Sequence, residues 1–99
     1  MQSFYPERFE REMGCTEADW LRALPQAIGD HFWKLQTHCA GVRIGDGALG
    51  LSWSEGEPRV IASVRLPRLR VSFRFAGLDD AQRLAFMKRF DLFMHRGGG

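Results

Sequence analysis

Apolar and polar positions alternate with period two through most of residues 41–76, and Gly- and Pro-containing breaks divide the alternating runs. The pattern predicts a four-stranded antiparallel meander over about residues 40–76. Asp46-Gly47 is a strong hairpin signal, because a type I′ turn needs positive φ at both central residues. Closing strands around it pairs Ile44 with Leu49, Val42 with Leu51 and Ala40 with Trp53. A second turn at Glu55-Gly56-Glu57-Pro58 sets Val60 opposite Trp53, Ala62 opposite Leu51 and Val64 opposite Leu49. A third at Pro67-Arg68 sets Leu66 opposite Leu69, Val64 opposite Val71, Ala62 opposite Phe73 and Val60 opposite Phe75. Every large apolar residue but Ile61 then shares one face, and a one-residue slip would undo that agreement. Val42, Ile44, Leu51, Val60, Ala62, Val64, Val71, Phe73 and Phe75 are therefore expected in the core. Pro67 suits a type I or II turn better than a primed one. A rival reading makes Pro67-Arg68 a bulge in one long bent strand, which also accounts for the switch of apolar phase there.

Helical periodicity flanks the meander. Asp79 and Gln82 form a capping box for a helix reaching about His95, with Phe86, Met87, Phe90, Phe93 and Met94 within one arc and Leu92 off it. Thr16 and Asp19 cap an earlier helix with Trp20, Leu21, Leu24 and Ile28 on one side, and Pro25 predicts a kink or stop. A short helix is compatible with residues 6–13, with Pro6 in its first turn and Gly14 beyond its end. Alternation of Trp33, Leu35 and Thr37 hints at an extra edge strand.

A sheet with one apolar face needs a covering layer, and the two amphipathic helices can supply it. The expected fold is α+β, a two-layer sandwich in which helices from both flanks pack on one face of the sheet. The 99 residues divide into an N-terminal extension over 1–15, a single domain over 16–96 and a flexible glycine tail over 97–99.

Charge sharpens this picture. The net charge is +2, but residues 41–76 carry six arginines and three acids, Asp46, Glu55 and Glu57, all placed in turns. Residues 1–40 carry six acids and four bases. Twelve of the fourteen basic residues are Arg, which together with abundant Ala and Gly matches a GC-rich coding sequence; arginine content alone does not argue for phosphate binding. No run of apolar residues is long enough to span a bilayer, and the first residues lack a secretory pattern. Cys15 and Cys39 lack metal spacing and read as free thiols of a reducing compartment, so a cytoplasmic protein without a membrane partner is expected.

The outer sheet face is the candidate site. The predicted pairing puts Arg43, Arg65, Arg70 and Arg74 on it with Ser63 and Ser72, without any acid, and sets Arg65 directly opposite Arg70. Ordinary solvent-facing residues account for such a face, since one side of an antiparallel sheet commonly meets water. As a binding surface it suits an acidic protein or a second copy, and the acids of the N-terminal 40 residues, Glu7, Glu10, Glu12, Glu17 and Asp19 among them, complement it. The expected function is thus a non-catalytic binding or assembly module, acting as a homodimer or on an acidic partner. A nucleic-acid phosphate binder is the alternative, weakened by the lack of aromatic residues for base stacking and by the modest net charge. A small enzyme is the third reading, and it requires a pocket joining His31, His38 or Cys39 to other polar groups. No cofactor is expected, and the His and Cys spacing matches no structural zinc site.

Overall fold

The computed structural model describes residues 4–97. Along the chain run β1 (Arg8–Met13), α1 (Glu17–Ile28), β2 (Trp33–Gln36), β3 (Cys39–Ile44), β4 (Gly47–Glu55), β5 (Arg59–Ile61), β6 (Val64–Leu66), β7 (Leu69–Ala76) and α2 (Asp80–Gly97). Five strands form one antiparallel sheet in the order β1-β7-β4-β3-β2, and β5 and β6 pair only with each other. The architecture is the expected α+β sandwich, with five strands in place of four. Of the expected glycine tail, Gly98 and Gly99 lie outside the described residues, as do Met1, Gln2 and Ser3 at the other end.

Both helices cover one face. Trp20 of α1 packs on Trp53 at a centroid distance of 5.4 Å, while Phe90 and Phe86 of α2 meet Phe73 and Phe75 edge-on at 5.6 and 6.1 Å. Burial of these rings supplies the main driving force for closing the two layers, as expected for side chains of this size. Val42, Ile44, Leu51, Val71, Phe73 and Phe75 are buried as the alternation predicts. Both capping boxes form: Thr16 Oγ1 accepts from Asp19 N at 3.1 Å, and Asp79 and Gln82 exchange bonds of 2.8 and 2.9 Å. Pro25 does not stop α1, which continues to Ile28 and closes with Gly29 N–H on Pro25 O.

The first hairpin is shifted. Ile44 pairs with Gly47 and Val42 with Leu49, so the turn is Gly45-Asp46, with φ of +56° at Gly45. The shift spans two residues and preserves the faces. Gly47 is small for another reason: a Cβ there would lie 2.5 Å from the Ala76 carbonyl oxygen of β7.

The segment 59–66 overturns the meander. It does not pair with β4. Instead β4 pairs directly with β7, setting Leu49, Leu51 and Trp53 opposite Phe75, Phe73 and Val71. A tight turn at Ala62-Ser63, with φ of +55° at Ala62, folds the segment onto itself as a short two-stranded arm. Val60, Ala62 and Val64 are accordingly exposed rather than buried. Pro67-Arg68 is no hairpin; the chain continues through it from β6 into β7, and Gly56 N–H donates to Arg68 O at the arm's root.

Residues 8–13 form an edge strand rather than a helix, paired along β7 from Arg8 opposite Arg74 to Met13 opposite Leu69. Pairing there covers the β7 edge that the arm leaves free. Phe9 stacks on Phe73 at 4.6 Å. Arg11 on the same face is held by both carboxylate oxygens of Asp91 at 2.6 and 3.1 Å, and Asp91 also accepts from the Tyr5 hydroxyl at 2.7 Å.

Candidate functional site

The uncovered face of the sheet presents rows of residues that follow from the register. One row reads Arg8, Arg74, Gly50, Gly41 and Lys34 from β1 to β2, and the next reads Glu10, Ser72, Ser52, Cys39 and Gln36. Beyond them Glu12, Arg70 and Ser54 lie in line at one end, and Arg43, Ala48 and Ala76 at the other. Gly and Ser form the floor, because strands alternate strictly and the large apolar residues of the central strands point to the helices. A shallow depression of about 320 Å³ runs between Glu10, Ser52, Ser54, Arg70 and Ser72.

Of the expected site residues, Arg43, Arg70, Arg74 and Ser72 share this face. Arg65 and Ser63 do not. Arg65 sits on the arm opposite Val60, and Ser63 is in the arm's turn, so the predicted Arg65–Arg70 pair does not exist. Arg70 instead stands opposite Ser54 on one side and Glu12 on the other. The face is not acid-free either, since β1 brings Glu10 and Glu12 onto it. Glu12 is engaged by Arg68 at 2.9 Å. The alternation of Arg8, Glu10 and Glu12 with Phe9, Arg11 and Met13 is the signal that places these acids, and it is outweighed at the sequence level by Pro6 and Gly14.

A second cluster lies at the end of the sheet from which the arm leaves. Glu17 Oε2 accepts from Trp53 Nε1 at 2.7 Å and lies 2.6 Å from His38 Nδ1. The indole, then the imidazole, hold the Glu17 carboxyl below its ordinary value. An ionised carboxylate only accepts, so His38 Nδ1 carries the shared hydrogen. His38 itself adopts φ of +60° in the two-residue turn between β2 and β3. Glu17, His38, Trp53, Ser54, Glu55 and Leu69 border a pocket of about 340 Å³.

This pocket does join His38 to polar groups, but chemistry needs a nucleophile in reach of the imidazole. Among the described residues His38 makes no hydrogen bond to a hydroxyl or thiol. Cys39 turns its sulfur to Gln36, and burial, aided by Asp19, pushes the Cys15 thiol up towards the unreactive form. His31 lies against the Phe86 ring at 5.5 Å. The Glu17–His38–Trp53 contact thus clips the start of α1 to β4 and to the β2–β3 turn. Among the described residues no three His, Cys, Asp or Glu side chains gather as a metal site, and no helix is long and apolar enough to cross a membrane.

Comparison with protein-family models, curated proteins and solved structures returned no match.

Proposed function

We propose that this chain is a small non-catalytic binding and assembly module whose open sheet face docks an acidic protein surface. One observation carries the reading. The helices and the large apolar strand residues occupy one side of the sheet, whereas the other presents Arg8, Lys34, Arg43, Arg70 and Arg74 around a floor of Gly and Ser. A floor of small residues admits close approach of a helix or strand, and the planar guanidinium forks at its margins suit carboxylates in bidentate geometry.

Two occupants fit less well. Back-to-back packing of two such faces sets arginine rows against each other, a like-charge arrangement that opposes association. A nucleic acid finds no aromatic ring in the rows on which to stack its bases.

The test is binding of poly-glutamate and of a 20-base-pair DNA duplex to the intact chain, by fluorescence anisotropy over a range of salt. The Arg43→Glu/Arg74→Glu variant should lose poly-glutamate affinity by about tenfold or more and flatten its salt dependence. Equal affinity of variant and parent overturns the reading. Tight duplex binding that the same variant abolishes would transfer the face to nucleic acid.

A further inference from the structure

The arm formed by β5 and β6 is built unlike the rest of the chain. All eight residues from Arg59 to Leu66 are exposed, and four of them are large and apolar: Val60 at 60%, Ile61 at 50%, Val64 at 54% and Leu66 at 41%. The register sets Ile61 opposite Val64 and Arg59 opposite Leu66, which gathers Ile61, Val64 and Leu66 on one side of the ribbon. A two-stranded ribbon alone is marginal in water, and both of its edges carry unpaired backbone groups. The body meanwhile closes its own core without the arm.

Charge indicates what the arm meets. From Arg59 to Leu66 the arm holds two arginines and no acid. Arg59 and Arg65 on the arm have no ion pair among the described residues. The arm's root offers the complement: Glu55 and Glu57 stand at it and make no ion pair among the described residues, whereas Glu12 at the same end of the sheet is held by Arg68 and Glu17 by His38, and the adjoining pocket has Trp53 and Leu69 as its apolar lining.

We infer that the arm docks on a second copy of this chain, the basic apolar ribbon of each protomer lying against the acidic root of the other. A two-fold axis between antiparallel arms satisfies both contacts at once and closes the assembly, because the same tip and root are offered by each partner. The inference rests on the reading of the chain as an assembly module but uses a different surface from the sheet face.

Sedimentation velocity on the full chain tests it, with exposed residues substituted so that the body is left alone. The parent chain should dimerise, and Ile61→Asp/Val64→Asp should sediment as a monomer with the melting profile of the parent at matched dilution. Arg59→Glu/Arg65→Glu and Glu55→Arg/Glu57→Arg should each weaken self-association by about tenfold or more. Mixed one to one, they should form a heterodimer, since acidic arm then meets basic root and basic arm meets acidic root. Should the aspartate variant fail to fold, this charge-reversed pair still decides. A parent chain monomeric at ~100 μM, or a mixture no more associated than its components, overturns the inference. So does loss of duplex DNA binding in Arg59→Glu/Arg65→Glu from a monomeric parent, which would make the arm a nucleic-acid element. The sheet-face reading survives any of these results, because poly-glutamate binding through Arg43 and Arg74 is read separately.

Discussion

Glu17 shows how much one side chain ties together. Its Oε2 receives the Trp53 indole and the His38 imidazole, so a single carboxylate links α1, β4 and the β2–β3 turn. The two hydrogen bonds lower its pKa in the folded chain relative to the ordinary value of 4.5. A depressed folded value means that the stabilisation is fully present above about pH 4.5 and is lost as pH falls from there through the folded value. Glu17→Gln, which cannot titrate, should therefore be less stable than the parent near neutral pH, and the gap should narrow steadily below pH 4.5. Thermal melts across that range check it; a gap that stays constant with pH would show that the carboxylate charge contributes nothing to the clip. None of this is legible in the sequence, where Glu17 reads only as one of the N-terminal acids that complement the arginine face.

At the scale of elements, the sequence was most informative where local and long-range signals agree. Both capping boxes, the α2 aromatic stripe and the alternation of β3, β4 and β7 needed no partner to be recognised. In two segments local chemistry and sheet pairing conflict. Residues 8–13 carry helix punctuation in Pro6 and Gly14, yet the free edge of β7 draws them into a strand. Ala62-Ser63 carries no turn signal, yet it turns, with Ala62 in the left-handed region that costs an L-residue about 1–2 kcal/mol. The acids on the sheet face and the separation of Arg65 from it follow from the pairing of these two segments, so the candidate site is only partly legible in the sequence. The β1 placement makes a testable claim about Arg11, which is half-buried among Tyr5, Phe9 and Phe73 and held by Asp91. Asp91→Asn keeps the shape but removes the charge, and should destabilise the chain by ~1–3 kcal/mol in urea unfolding. Arg11→Met in the same background should recover part of that loss, because a half-buried guanidinium without its carboxylate is then no longer present. A loss under about 0.5 kcal/mol for Asp91→Asn would mean that β1 is held by its backbone pairing and aromatic contacts alone.

The whole molecule is a two-layer body with an arm, and the two parts are stabilised differently. In the body, Phe73 is fully buried between Phe9 of β1 and Phe90 of α2. In the arm every residue is exposed, and among the described residues the two strands pair only with each other. Truncation should divide along this line. Phe73→Ala leaves a cavity that its neighbours cannot close and should cost ~3–5 kcal/mol, a large share of the stability of a domain this size. Val64→Ala removes apolar surface that already meets water in the single chain and should change the unfolding free energy by no more than about 0.5 kcal/mol at concentrations where the chain is monomeric. Hydrogen exchange gives the same division without mutation: amides of β4 and β7 should exchange only through global unfolding, those of β5 and β6 through local opening of the ribbon. Raising the protein concentration should then slow exchange in the arm while leaving the central strands unchanged, since a docked ribbon is protected by its partner and the body has nothing further to gain. Arm amides as slow as those of β4 in a dilute monomer would show instead that the ribbon is stable by itself.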